Sequence, residues 1–300
     1  MNILLVTPLY SQHYDAGWFW FRALQRLGHS VTVWDYRLDV QPPPFTVFPE
    51  LTLVLKGEGL NPQMFPSPRF CYWPDAFERT PSIMSTLERY DRVFSPVRPT
   101  PSEAEWLPTG WDPAIHRDLK LPVKTIDSLY IGTFNSERKA EFIRQVKPQV
   151  VAGNEWEKLP DACSVLNITY PPAYLHDMVS LANKAKVLID IHQGPVGLNR
   201  KFFEMIACGF TIVDRVPGVE EVLGKELEGA VSFKDGKQAH EMIKYYLGHP
   251  EEREALWKVE REAIQPYTYE MAVGVILQRV KNPYQRSSPY RFHSQEQSAP

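Results

Sequence analysis

The sequence predicts an α/β protein of two domains, each built on a parallel sheet. Short apolar runs alternate with segments of helical periodicity along both halves, the pattern of repeated strand, helix and strand units. At 300 residues the chain is longer than one hydrophobic core usually organises. Between the halves, residues 108–127 (PTGWDPAIHRDLKLPVKTID) hold three prolines and no clear periodicity, as an interdomain linker does.

The first half opens with a buried-strand run, Asn2 to Thr7, which reads as a first strand rather than a signal peptide because the apolar run is short and no basic leader precedes it. Phe21, Leu24 and Leu27 recur at helical spacing from Gly17 to Leu27, where Gly28 stops the helix. Val31 to Trp34 completes a β-α-β unit, whose loop carries no GxGxxG dinucleotide fingerprint. Leu51 to Leu55, Arg69 to Trp73 and Val93 to Phe94 are further strands, with a helix expected over 81–90. This domain is expected to span residues 1–110, with the linker proper at 111–127.

The second half restarts with a strand at Leu129 to Ile131, a loop over Gly132 to Ser136, and a helix over Glu137 to Val146. Val150 to Ala152 is the next strand, and Ala173 to Lys184 is helical. From Gln238 to Lys281 the chain is mostly helical, in three segments broken near Gly248, Pro250 and Pro266. The expected layout is a second domain over 128–265, a last helix over 266–282 and a polar tail over 283–300.

Composition narrows the class. Hydrophobic content of 43% and charged content of 23% are ordinary for a globular protein, and a net charge of −3 gives no overall basic footprint for nucleic acid or an anionic membrane. A nucleic-acid partner is possible on these grounds but not indicated. Three widely spaced cysteines (Cys71, Cys163, Cys208) point away from a disulfide framework or zinc site and toward a reducing compartment. No run approaches the roughly 18–20 apolar residues of a membrane span, so a cytoplasmic location is expected.

The stretch Val187 to Val213 (VLIDIHQGPVGLNRKFFEMIACGFTIV) is the centre of the functional reading. It runs strand, Gly/Pro loop, helix, strand. In an open parallel sheet ligands bind at the carboxyl ends of the strands, and the N-terminus of the following helix offers unpaired N–H groups to an anion. Set beside LYIGTFNSERKAEFI (residues 129–143), VAGNEW (151–156) and LPTGWD (107–112), the segment N-x-x-x-F-E-x-x-A-C-G beginning at Asn199 resembles glycosyltransferases of the GT-B fold. More narrowly it is similar to their CgeB-like, family-4-like group. The match covers the second half well. In the first half GWFWFRALQRLGHSV and RFCYWPD fit in pattern only.

This resemblance implies two Rossmann-like domains facing across a cleft, with the last helix crossing back to the first domain. It implies a nucleotide-diphosphate sugar as donor, a UDP-sugar above others, held by the second domain, and a hydroxyl acceptor on the side of the first. No Asp-x-Asp motif occurs in the sequence, so no metal ligand or other cofactor is expected. The departing diphosphate would instead meet helix N–H groups and basic side chains, each worth roughly 3 kcal/mol by analogy with oxyanion holes. Gly197 and Asn199 would admit the phosphates, and Arg200 would form a charge-assisted pair with one. Glu204, one turn after Arg200 on the same face, would accept hydrogen bonds from the ribose hydroxyls. The earlier glutamate of the family's E-x7-E pattern is replaced by Val196. Gly132 and Thr133, with Arg138 or Lys139 supplying positive charge, would form a second diphosphate contact, with Gly153, Asn154, Trp156 and Tyr170 as candidates near the nucleobase.

The acceptor must lose a proton, and a carboxylate or histidine at the cleft is the usual base. Asp75, directly after a buried strand, is the first candidate, then Asp15 and His13 in the first βα loop. An inverting enzyme needs such a base, whereas a retaining one would use it for positioning. Two other readings share the fold: a nucleotide-sugar epimerase, and a binding module that holds the nucleotide sugar without turnover. The plain readings also stand, Asp75 as a helix N-cap and His192, at the end of the central strand, as a structural residue.

Overall fold

Two six-stranded sheets organise the chain, and every pair of neighbouring strands is parallel. The computed structural model describes residues 1–9, 16–39, 41–75, 77, 80, 83–98, 100–102, 104–159, 168–192, 194 and 197–282. His13, Asp15, Cys163, Val196 and the 283–300 tail lie outside the described residues.

The first sheet has the order β2-β1-β3-β4-β5-β6, from β1 (Asn2–Val6), β2 (Ser30–Trp34), β3 (Leu51–Leu55), β4 (Arg69–Tyr72), β5 (Arg92–Ser95) and β6 (Ala104–Trp106). The second has the order β12-β11-β10-β7-β8-β9, from β7 (Ile126–Ile131), β8 (Val150–Ala152), β9 (Ile168–Tyr170), β10 (Ala185–Asp190), β11 (Thr211–Asp214) and β12 (Ser232–Phe233). The inner strands are covered on both faces, which is why β3 (LTLVL) is buried throughout and reads as a continuous apolar run. In the second sheet Leu188 on β10 sits beside Leu129 on β7 and Thr211 on β11. Strand order reverses between β7 and β10, the switch point at which doubly wound sheets bind ligands.

Four helices connect the strands nearest the cleft: α1 (Ala16–Arg26), α3 (Glu137–Val146), α4 (Leu175–Asn183) and α5 (Arg200–Cys208). The helix expected over 81–90 is described only as α2 (Ile83–Leu87). After β11 come α6 (Val219–Leu223), α7 (Lys225–Val231), α8 (Gly236–Gly248), α9 (Pro250–Ile264) and α10 (Tyr269–Lys281). The last crosses back onto the first domain. Tyr269 stacks on Phe19 of α1 with ring centroids 5.1 Å apart, Arg279 pairs with Glu105 of β6 at 2.9 Å, and Glu270 pairs with Arg26.

The segment read as a linker is a strap clasped by the end of the chain. Thr109 and Gly110 both donate to the Tyr267 carbonyl at 3.3 Å, and the Trp111 indole donates to Ile264 at 2.9 Å. Asp112 is fully buried and takes Arg26 of α1 at 3.1 Å. One apolar cluster therefore runs from Leu53 and Phe94 of the first sheet through Tyr269 and Ile276 to Leu129 and Leu188 of the second. The outer face of each sheet has its own core, around Trp34 and Trp73 in the first and around Ile189, Phe202 and Phe203 in the second. Among the described residues no helix is long and apolar enough to cross a membrane.

Candidate active site

The carboxyl ends of both sheets open on one cleft of about 520 Å³, within the range of small-molecule sites. Asp75 reaches it from the end of β4, Phe19 from α1, His116 from the strap, Gly132 and Thr133 from the β7 loop, and Gly197, Asn199, Arg200, Lys201 and Glu204 from the start of α5. The cleft thus lies at the switch point of the second sheet.

The N-terminus of α5 is shaped by its cap. The Asn199 side chain accepts from the Phe202 N–H at 3.2 Å, so it is engaged in capping rather than in ligand contact. Arg200 and Lys201, the first two residues of the helix, line the cleft, where the positive end of the helix dipole lies. The Arg200 Nε is 3.6 Å from Glu204 Oε1, and its guanidinium stands 5.7 Å over the Phe19 ring of the opposite domain.

Gly197 has a left-handed backbone (φ +73°), and a Cβ there would sit 2.7 Å from the Val97 Cα and 2.8 Å from the Arg98 N. Its side-chain-free backbone allows the α5 loop to meet the loop after β5, a contact between domains as much as an opening for phosphate. Gly110 does the same for the strap, since a Cβ there would lie 2.5 Å from the Arg200 Cα.

Lys201 is a buried cation that spacing alone did not single out. Its Nζ donates to the Ile131 carbonyl at 2.8 Å and lies 3.0 Å from Asp190 Oδ1. Burial pulls its pKa down, but Tyr130 and Asp190 outweigh burial and the net shift is upward, so it is charged. His116 is the second unforeseen member. Its Nδ1 accepts the Asp112 N–H at 2.9 Å, which assigns the ring proton to Nε2. Burial, opposed by Asp112 and aided by Arg200, lowers its pKa to about 3. The neutral Nε2–H is buried without a hydrogen-bond acceptor among the described residues and stands 3.7 Å from Glu204 Oε1. Burial raises the pKa of Glu204, against the opposing pull of Arg200 and Lys201.

Arg138 is one of the two cations that the sequence offers on α3. It does not line the cleft. Its Nη1 donates to the His192 carbonyl at 2.5 Å and its Nη2 pairs with Asp214 at 2.8 Å. Consecutive helical residues point about 100° apart, and on α3 it is Lys139 that is buried against the cleft. Asp214 Oδ1 also receives both the backbone N–H and the Nδ1 of His192, at 3.0 and 2.6 Å. Against burial, Asp190 and Asp214 raise the pKa of His192, and His192 with Arg138 lowers that of Asp214. His192 lines the cleft and is braced there by Asp214.

The second loop is held from behind. The Trp156 indole donates to the Gly132 carbonyl at 2.7 Å and the Asn154 amide to the Tyr174 hydroxyl at 2.7 Å. Gly153, Asn154 and Tyr174 line the cleft, while Trp156 supports it. Asp75 faces the cleft paired with Lys56 at 2.7 Å.

Two parallel sheets facing across a cleft, with a helix returning to the first domain, define the GT-B fold. Residues 138–278 match the glycosyl transferase-like family model. No curated protein sequence matches the chain. Among solved structures, Anabaena Alr3699/HepE in complex with UDP-glucose is similar at a TM-score of 0.68 and 11% identity, covering 94% of this chain and 99% of that one. T4 phage BGT in complex with its UDP-glucose substrate aligns at 0.62 and 12% identity, over 94% of this chain and 100% of that one. AviGT4, a glycosyltransferase involved in avilamycin A biosynthesis, aligns at 0.63 and 13% identity, over 94% and 97%.

Proposed function

We propose that the chain is a glycosyltransferase that moves a hexose from a UDP-sugar to a hydroxyl acceptor, without a metal ion. The observation that carries this is the meeting of the α5 N-terminus with Arg200, Lys201 and Lys139 at the switch point of the second sheet, directly above the buried carboxyl of Glu204. A departing diphosphate develops charge where those donors are already fixed, which is the arrangement that lowers a barrier by electrostatic preorganisation. Glu204 supplies acceptor oxygens for the ribose hydroxyls, with the His116 Nε2–H beside it at 3.7 Å. Asp75 lies on the opposite wall, the acceptor side, as the candidate base. HepE and T4 phage BGT, similar in fold, have structures in complex with UDP-glucose, which favours UDP among nucleotides. The Asn199 to Gly209 motif supports the finer family-4-like placement. A cytoplasmic setting suits the free, buried thiols of Cys71 and Cys208.

The test is a thermal-shift panel of nucleotide sugars, followed by UDP release measured with and without EDTA. A ligand at a hundredfold excess over its Kd stabilises by about 2.7 kcal/mol. UDP-sugars should raise the unfolding temperature, and UDP release should persist in EDTA. No shift with any nucleotide sugar would remove the donor assignment, and release abolished by EDTA would remove metal independence.

A further inference from the structure

A second groove, of about 700 Å³, lies at the opposite edge of the second sheet, between the segment entering β7, the start of β10 and one face of α9. Six basic side chains line it (Lys120, Lys124, Lys186, Arg253, Lys258, Arg261) against two acidic ones, Asp118 and Glu254, in a chain whose net charge is −3. Two of the cations are satisfied nearby. Lys120 pairs with Asp118 at 2.7 Å and Lys186 with Asp127 at 2.6 Å. The inner ones are not. Among the described residues the Lys124 Nζ and the Arg253 Nε are buried without a hydrogen-bond partner, although Arg253 is only 7% exposed and its Nη1 already donates to the Tyr246 carbonyl at 2.8 Å. Burial, with Arg253 adding to it, lowers the pKa of Lys124 against the pull of Glu254 and Asp118. Buried donors of one sign without acceptors are costly to hold. An arriving anion would relieve that cost.

We propose that this groove is an anion-binding site for a compact, soluble phosphate-bearing molecule, whose oxygens are taken by the Lys124 Nζ and the Arg253 Nε. Phosphate suits the site better than a carboxylate, because its several charged oxygens can serve converging ammonium and guanidinium donors together. Stacking is not the basis of recognition. The ring of Trp257 already carries Lys124 at 4.8 Å and Arg261 at 5.3 Å. The groove is separate from the donor cleft, at the amino edge of a sheet whose carboxyl edge forms that cleft. Trp257 ties it to α5, donating from its indole to the Ile206 carbonyl at 2.8 Å.

The experiment is calorimetric titration of the full chain with inorganic pyrophosphate, with and without saturating UDP. It compares the wild type with the Lys124→Gln, Arg253→Gln double variant and with Lys258→Glu, an exposed charge reversal that leaves the buried groups in place. Thermal unfolding without ligand checks that each variant folds. One saturable pyrophosphate site that survives UDP, weakened at least tenfold in the double variant and also in Lys258→Glu, is expected. UDP affinity should stay unchanged in both. Absence of a saturable site beyond the one UDP occupies, or an affinity indifferent to both variants, would overturn the proposal. So would binding to phosphatidylcholine vesicles containing phosphatidic acid if it is lost in the double variant while pyrophosphate fails to bind, because the occupant would then be a membrane headgroup.

Discussion

The Nε2 of His116 stands 3.7 Å from Oε1 of Glu204, and the Nε of Arg200 stands 3.6 Å from the same oxygen. A neutral donor from the strap and a cation from the helix thus bracket one buried carboxyl. Because burial raises the Glu204 pKa above its ordinary 4.5, the carboxylate that accepts ribose hydroxyls is lost earlier on acidification than an exposed one would be. Affinity for UDP-glucose, whose diphosphate does not titrate in this range, should fall as pH drops through a midpoint above 4.5. Glu204→Gln should bind more weakly and lose that acid limb. An unchanged limb in the variant would assign the titration to another group.

The two arginines expected to hold phosphate should separate cleanly. Arg200→Ala removes a charge-assisted contact worth about 1.5–3 kcal/mol, and should weaken UDP binding roughly 10- to 150-fold at nearly unchanged stability. Arg138→Ala removes hydrogen bonds to Asp214 and the His192 carbonyl. It should lower the urea-unfolding free energy by about 1.5–3 kcal/mol with a far smaller effect on UDP affinity. Calorimetry and denaturation on both variants check the pair, and reversed effects would exchange their roles.

The His192–Asp214 pair makes stability depend on pH in two directions. His192 is raised above its ordinary 6.5, so its contribution is complete below 6.5 and is lost as pH rises through the higher folded value. Asp214 is lowered below its ordinary 3.8, so its contribution is complete above 3.8 and is lost as pH falls through the lower folded value. The pair should stabilise most between those limits. Asp214→Asn should cost about 3–5 kcal/mol in that window, as expected when one partner of a buried ion pair is removed, and less as pH rises above the His192 titration. Urea denaturation across pH measures this. A constant deficit at all pH values would show that the pair does not titrate as described.

The sequence displayed the parts of this site that lie close together along the chain. The stretch Val187 to Val213 announced β10, the loop and α5 through its apolar runs and its Gly/Pro punctuation, and it brought Arg200 and Glu204 to one face. What it did not display depends on contacts across the fold. Lys201 becomes notable only through Asp190 and the Ile131 carbonyl, and His116 only through Glu204, each pair joined by packing rather than by spacing. Arg138 beside Lys139 offered two cations with nothing to say which would turn inward. The short edge strands β6, β9 and β12 span two or three residues each, too few for any periodicity to emerge. The clasping of the linker strap was not legible because its contacts are with Tyr267 and Ile264, more than 150 residues away.

Closure of the two domains should depend on Gly197. Alanine there meets both an unfavourable backbone (φ +73°) and the Val97 backbone at 2.7 Å, so it should cost more than the roughly 1 kcal/mol of a left-handed alanine alone. Gly224→Ala is the control, with φ +80° and open space around its Cβ. Thermal unfolding should show the larger loss at position 197, accompanied there alone by weaker UDP binding. Equal losses would mean that the contact between the loops does not matter.

The most direct measurement is a crystal structure of the chain with UDP bound. The diphosphate should lie against the first N–H groups of α5, with Arg200 on a phosphate oxygen and the ribose hydroxyls on Glu204. A nucleotide bound elsewhere, or bound in the cleft with its diphosphate turned away from Arg200 and α5, would contradict the donor site at the centre of this interpretation.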